Sequence, residues 1–478
     1  MTKIISQQTA DKLTKIVATI GPASETEETL KQLILAGMNV ARFNTKHGTP
    51  EWHHERIVRV KKVAKELKRP IGVLLDLQGP EIRINLPEEF KEIGYKVKEG
   101  DSVYFSSDEK CNKPNLVLVP KNVIEVIESG QIILTDDGLC QYEAVKKTGN
   151  VVEAAALDSF TVKQRKTLSI PGVVTDMPGL TEGDMSQLDG ARDEEIDYVA
   201  LSFVRDRKDI EILRKELEKR KLHADIIAKV ENQAALDNLD EVIDASDAIM
   251  IARGDLGVEV PYEQLTYWQR IMIKKCREQA KPVITATHML ETMIECPMPT
   301  RAEVSDVAHA IYDLTDAVML SGETAQGKFP VKAVEVQAKI AQFNETRTEV
   351  DMSECISCDY MPNVAYAAAN LLHSQPVKID QVICITASGA TAAFITRNRP
   401  KVPVHVLTDN ERVYQKMTLY FGVIPHLVEW DDKTIPNAFD LMKKIGKVSW
   451  LKKGQNVLVT YGSHLQEGCT NTLSVVTI

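Results

Sequence analysis

Before residue 346 a short apolar run recurs eight times, nearly always giving way to an amphipathic helical pattern, and this recurrence limits the fold more than any other feature of the chain. The runs lie at 15–21, 39–44, 71–77, 197–204, 225–232, 248–255, 282–288 and 317–323, and most are rich in β-branched residues. Helical periodicity follows nearly all of them, at 26–36, 51–67, 207–220, 234–245, 262–279, 301–314 and 331–343. Eight strands, each leading to a helix, are what a (β/α)8 TIM barrel needs to close.

One interval breaks the rhythm. A βα unit uses about 30 residues, and far more than that separates Leu77 from Asp197. The interval contains short alternating runs beginning at Asp101, Leu116, Gln131 and Asn150, with a turn at Asp136-Asp137-Gly138. This predicts a small all-β lid domain inserted after barrel strand 3, on the face where barrel active sites form. After about Arg347 the pattern restarts as an α/β unit with strands at 381–386, 404–407, 422–426, 456–461 and 474–478, mostly parallel. The expected domains are a barrel at 1–84 and 170–346, a lid at 85–169, and a C-terminal α/β domain at 347–478.

Bulk properties exclude several function classes. A net charge of -10 argues against nucleic-acid binding, while anionic substrates stay open because local charge decides binding. No apolar run approaches the roughly 20 residues of a membrane span, and no signal-peptide core is present, so no membrane role is expected. A chain this size needs no disulfide framework, which points to a reducing, cytoplasmic setting. Cys355 and Cys358 form a CxxC with no second pair at zinc spacing, and read as an incidental linker feature.

The chemistry gathers at strand ends. Side chains alternate along a strand, so Lys229 and Glu231 project to one side, and the next run ends in Ala252-Arg253-Gly254-Asp255. Two carboxylates at neighbouring strand ends can hold Mg2+, and a lysine beside them can neutralise a phosphoryl group. Other ends carry Arg42 and Asn44, Asp76 with Glu81 and Arg83 beyond it, Thr287, and Ser321 with Glu323. Six of the eight runs end this way, as a shared catalytic mouth requires. The combination reads as phosphoryl transfer.

Six segments in order carry a resemblance that spans essentially the whole chain. They are Ala18-Thr-Ile-Gly-Pro-Ala-Ser24, Asp76-Leu-Gln-Gly-Pro-Glu-Ile-Arg83, Ala228-Lys-Val-Glu-Asn232, Ala252-Arg-Gly-Asp-Leu-Gly257, Thr300-Arg-Ala-Glu303 and Met319-Leu-Ser-Gly-Glu-Thr-Ala325. Together they resemble pyruvate kinase. The resemblance implies phosphoenolpyruvate, ADP or ATP and pyruvate as ligands, with Mg2+ and a monovalent cation, and a homotetramer is usual for the family. It implies Glu231 and Asp255 as Mg2+ ligands, and Lys229 and Arg42 on the transferring phosphoryl group. Arg83 would reach substrate from the lid hinge; Ala252, Arg253, Gly254 and Asp255 would line the substrate, with the backbone N–H groups of Gly254 and Asp255 receiving its carboxylate. Thr287 would lie near the methyl carbon, with Ser321 and Glu323 behind it in a water-linked proton path. Pro22, Asn44, His47 and Lys166 would flank the nucleotide, although the stretch from Lys166 to Gly172 departs from the usual Lys-Gly-Val-Asn-Leu-Pro-Gly. In the C-terminal unit, the loop of Thr386, Ser388, Gly389 and Thr391 resembles a sugar-phosphate or nucleotide effector nest, with Arg412 near enough to assist.

The monovalent-cation site is where the chain departs from its relatives. Most members write Arg-x-Asn-Phe-Ser-His and Asp-Thr-Lys-Gly-Pro-Glu, and build a K+ site from the asparagine, serine, aspartate and threonine. Here Asn44 and Asp76 remain, but Lys46 stands for the serine and Leu77 for the threonine. Two oxygen ligands are lost and an ammonium is gained, so Lys46, held by Asp76 and Glu81, is expected to substitute for K+. Two alternatives stay open: another Mg2+-dependent phosphoenolpyruvate-using barrel enzyme, and a catalytically silent paralogue that senses a metabolite through its C-terminal unit.

Overall fold

The computed structural model describes residues 3–4, 12–173, 177–350, 363–374, 376–430, 437–445, 448–462 and 470–478. Cys355 and Cys358 lie outside these residues. Eight parallel strands close a barrel: β1 (Lys15–Thr19), β2 (Val40–Asn44), β3 (Gly72–Asp76), β4 (Tyr198–Leu201), β5 (Asp225–Val230), β6 (Ala248–Ala252), β7 (Val283–Ala286) and β8 (Ala317–Leu320). All eight fall within the expected runs. Seven of them end one to three residues earlier than the sequence pattern, because the polar residues at the ends enter loops or helices; Arg253–Glu259 is already helical.

Alternation builds two cores from the same strands. Ile226, Ala228 and Val230 of β5 face the outer helices, while Ile227 joins Val17, Val40, Leu74, Met250 and Met319 inside the barrel. The inward row therefore continues from Ile227 to Lys229, from Val40 to Arg42, and from Leu74 to Asp76. Register aligns these ends: Asn44 pairs with Asp76, and Ala200 pairs with Asp76 on the other side. The polar residues converge because the inward rows of these strands end in polar side chains at the same mouth.

The lid is a six-stranded sheet plus a two-stranded pair, Tyr95–Val97 with Phe160–Val162. Its longest strand, Cys140–Thr148, and its helix, Lys121–Val126, were not evident in the sequence. Helix Glu182–Gly190 restores the missing βα unit after the lid, and its capping box has a second use. Asp184 caps Thr181 and also accepts the N–H groups of Gln78 (2.9 Å) and Gly79 (3.3 Å), so one carboxylate fixes the chain both where it leaves for the lid and where it returns.

The C-terminal sheet has six strands, in the order Lys3–Ile4, Val423–Glu429, Val404–Thr408, Gln381–Ile385, Asn456–Tyr461 and Thr472–Thr477. The central four are parallel, the last is antiparallel, and the N-terminal Lys3–Ile4 adds an antiparallel edge that the sequence reading lacked. This domain plugs the barrel floor. Leu419 joins the barrel-interior cluster, and a buried ion pair joins Arg399 to Asp316 at 2.7 Å. Among the described residues no helix is long and apolar enough to cross a membrane.

Candidate active site

Four charged groups meet at the ends of β2, β3 and β5. Asp76, almost wholly buried, accepts Arg42 Nε at 2.6 Å and lies 3.3 Å from Lys229 Nζ. Lys229 Nζ also meets Glu231 Oε1 at 2.8 Å and Ser202 Oγ at 2.6 Å. Burial alone would lower the Lys229 pKa, but Asp76, Glu231 and Asp255 together raise it, so it stays an ammonium. Burial likewise works to raise Asp76, yet Lys229 and Arg42 hold it below the usual carboxylate range. Arg42 donates from Nη1 to Thr19 Oγ1 at 2.8 Å.

Glu231 has the opposite balance. Burial first, and Asp255 beside it, push its pKa up to about 7 against the pull of Lys229. Asp255 is raised by burial too, despite Lys229. Two carboxylates held in this condition have a deficit of positive charge, and their hard oxygens suit a divalent cation. Among the described residues no three His, Cys, Asp or Glu side chains gather to enclose a metal. The donor set thus fits an ion that completes its shell with substrate oxygens and water, as Mg2+ does.

Beside this centre lies a cleft between barrel and lid, lined by Glu81, Asp137, Gly138, Phe203, Glu231 and Asp255 among others. Lid and barrel touch through a hydrogen bond from Ser169 to Glu259. Pro22 and His47 are exposed near the mouth. Lys166 pairs with Asp136 at 2.6 Å, within the lid.

The geometry amends several expectations. Asp76 does not hold Lys46, because Arg42 and Lys229 already claim it; Lys46 pairs with Glu81 alone, at 2.7 Å. Glu81 also receives Arg83 at 2.7 Å, so that loop carries two cations on one carboxylate. The N–H of Gly254, expected to meet a substrate carboxylate, is donated to Thr287 Oγ1 at 2.6 Å. Arg253 turns away to Asp306 and to the carbonyls of Ala286 and Thr287, where it braces Thr287 in a left-handed backbone (φ 65°) costly for a β-branched residue. Glu323 accepts the N–H groups of Leu290 (3.1 Å) and Ser321 (2.7 Å), joining the β7 and β8 loops. In the C-terminal unit Gly389 donates to Thr386 Oγ1, Thr391 meets Thr470, and Arg412 is drawn to Asp193 of the barrel, while Ser388 is exposed. Ser202 and Thr19 were missed, although polar residues ending apolar runs are the same signal that found the others.

Residues 11–334 match the family described as pyruvate kinase, barrel domain, and residues 363–476 match pyruvate kinase, alpha/beta domain. The chain belongs to the pyruvate kinase family. It is 40% identical over 480 residues to a pyruvate kinase of Geobacillus stearothermophilus, covering 97% of this chain and 80% of that protein. One from Bacillus licheniformis is 38% identical over 478 residues, with the same coverage. A solved pyruvate kinase from Cryptosporidium parvum superposes with a TM-score of 0.88 at 30% identity, covering 98% and 96% of the two chains. As a pyruvate kinase the chain transfers the phosphoryl group of phosphoenolpyruvate to ADP, giving pyruvate and ATP in the last step of glycolysis. The silent-paralogue and other-barrel alternatives fall with that assignment.

Proposed function

We propose that the reaction runs on Arg42, Lys229, Glu231, Asp255 and Thr287, with Lys46 in the place of a monovalent cation. The observation that carries this is the ammonium of Lys229, little exposed and set among Asp76, Glu231 and Asp255. Arg42 and Lys229 would bind the phosphoryl group, and Lys229 can release Asp76, its longest contact, to do so. As the P–O bond to the enol oxygen breaks and one to a terminal phosphate oxygen of ADP forms, negative charge spreads over the equatorial oxygens and onto the departing enolate, and both cations are fixed in advance to stabilise it. Glu231 and Asp255 would hold Mg2+, which when bound supplies Lewis-acid charge to phosphoryl and enolate oxygens.

Enolpyruvate then takes a proton at its methylene carbon. Thr287 Oγ1 donates to the Ala286 carbonyl at 2.7 Å, so its proton is already committed, and an alcohol is too weak an acid to give it up alone. Thr287 would orient a water there, with Ser321 and Glu323 shaping the space behind it. Asn44, His47, Pro22, Arg83 and Lys166 would take the nucleotide, the last after exchanging Asp136 for phosphate. The loop of Thr386, Ser388, Gly389 and Thr391 would take a phosphorylated effector, and the working form would be a cytoplasmic homotetramer.

The Lys46–Glu81 pair, on the loop two residues beyond Asn44, supports reading the Lys46 ammonium as the substitute for that cation. Lys46 is about one-third exposed, enough to swing between Glu81 and a nucleotide phosphate. The metal assignment is tested by Glu231→Gln, which should raise the Mg2+ concentration needed for half-maximal rate by at least roughly tenfold. An unchanged Mg2+ requirement would remove Glu231 from the metal site.

A further inference from the structure

Barrel strand β4 contributes none of the family-matched residues named above, yet its end touches three parts of the centre. Ser202 Oγ accepts Lys229 Nζ at 2.6 Å and donates to the Leu77 carbonyl at 2.7 Å. That second bond uses the only hydroxyl proton, so the lone pairs left on Oγ must face the ammonium. The next residue, Phe203, sits in the left-handed region (φ 55°) and gives its N–H to Glu231 Oε2 at 2.6 Å. A bulky residue with positive φ is strained, and it persists only where its surroundings over-determine it. The surroundings here are tight: a Cβ built on Gly79 would lie 2.8 Å from Ser202 Cβ and 3.1 Å from the Phe203 ring. Gly79 belongs to the loop that leaves β3 for the lid and is pinned by Asp184.

We infer that Ser202 is a positioning residue that aims the Lys229 ammonium and ties it to the root of the lid through the Leu77 carbonyl. Lys229 has three N–H groups, and its three contacts differ in kind. Those to Glu231 and Asp76 are ionic, compete with the incoming phosphoryl group, and are loosened once a metal and substrate share the carboxylates. The contact to Ser202 is to a neutral oxygen fixed to backbone, so it survives substrate binding and keeps the remaining N–H groups pointed at the phosphoryl oxygens. Without it a four-carbon stem in a charged cavity has several rotamers of similar energy, and only one is productive. The Phe203 N–H does for Glu231 what Ser202 does for Lys229. One strained corner thereby sets the distance between the two groups.

The inference rests on the proposed role of Lys229, and a double-mutant cycle separates the two. Ser202→Ala should lower kcat by roughly tenfold, the scale of one charge-assisted hydrogen bond, with KM for phosphoenolpyruvate and the Mg2+ requirement within about twofold. In a Lys229→Met background the same Ser202→Ala change should cost less than about twofold, because there is no ammonium left to aim. Equal losses in both backgrounds would show that Ser202 acts on the fold and not through Lys229, and would overturn the inference. So would a change in KM alone. If Lys229→Met itself leaves turnover within tenfold, the reading of Lys229 fails first. Should Ser202→Ala not fold, Ser202→Cys, of similar shape and a weaker hydrogen-bonding group, goes through the same cycle. It should show a smaller kcat loss that vanishes in the Lys229→Met background, and a loss that persists there overturns the inference equally.

Discussion

Replacing Lys229 by methionine keeps the stem and removes only the charge. In the native protein the ammonium has partners at 2.6, 2.8 and 3.3 Å: Ser202, Glu231 and Asp76. Its loss leaves Asp76 with the guanidinium of Arg42 and Asp255 with the more distant ammonium of Lys46. Two effects follow, on different scales. Breaking a buried pair by removing one partner destabilises by about 3–5 kcal/mol, so the metal-free variant should melt at a lower temperature. Adding Mg2+ should recover part of that loss, since a divalent cation meets the same deficit. At the transition state the fixed charge acts on the phosphoryl group, where one such contact is worth about 3 kcal/mol, so turnover should fall by at least roughly 100-fold. Binding of Mg2+ and phosphoenolpyruvate should change little by comparison. Steady-state kinetics in a pyruvate-detecting coupled assay, run at saturating Mg2+, gives kcat and KM separately. A fall of less than tenfold in kcat, or a loss confined to KM, would refute the electrostatic argument.

Two predictions concern pH and stability. Burial pushes Asp197 up to about 6, although it accepts the Val73 N–H at 2.7 Å and has Lys61 at 3.8 Å. A carboxyl whose folded pKa lies above its unfolded value binds more protons when folded, so it costs stability as pH rises through about 4 to 6. Asp197→Asn should therefore raise unfolding free energy at pH 8 by up to about 3 kcal/mol and do nearly nothing at pH 4; an equal shift at both would contradict the argument. In the C-terminal domain, burial and His426 hold His405 well below its ordinary range, with His405 Nδ1 hydrogen-bonded to His426 Nε2 at 2.8 Å and the Trp450 ring stacked on His405 with centroids 3.9 Å apart. A depressed histidine binds its proton only on unfolding, so stability present above pH 6.5 should drain as pH falls, seen as a change in tryptophan emission. His405→Phe should flatten that slope, and an unchanged slope would mean that other groups set it.

The barrel was legible because a parallel barrel writes its period in the sequence: apolar run, polar end, amphipathic helix, repeated until the sheet closes. Strand alternation put Lys229 and Glu231 on one side, and the convergence of strand ends in a barrel put Asp76 and Arg42 at the same mouth; in the structure the four form one chain of contacts. Hydrogen-bond choices within the site were not legible. Whether Asp76 turns to Lys46 or to Arg42 depends on which cation lies on the inward face of a neighbouring strand, and Lys46 sits two residues past the end of β2, on an exposed loop. Arg253 reads as a mouth residue by position, yet helix Arg253–Glu259 begins there and rotates it toward Asp306. The lid was least legible. Its strand Cys140–Thr148 alternates buried and exposed residues only in its first half and then runs through Lys146, Lys147 and Thr148, which read as loop. The edge strand Lys3–Ile4 is two residues long, and too short a run carries no period.

The central claim is the proposal that Lys46 supplies from the chain itself the charge that the family resemblance assigns to a monovalent cation. The direct measurement is pyruvate formation from phosphoenolpyruvate, ADP and Mg2+ in a tetramethylammonium buffer, with K+ then added. Lys46 and Glu81 at 2.7 Å predict full turnover before any K+ is present. They also predict a nearly inactive Lys46→Ser variant, which K+ restores only in part because Leu77 offers no side-chain oxygen. Strong activation of the native protein by K+, with Lys46→Ser close to wild type, would contradict the account.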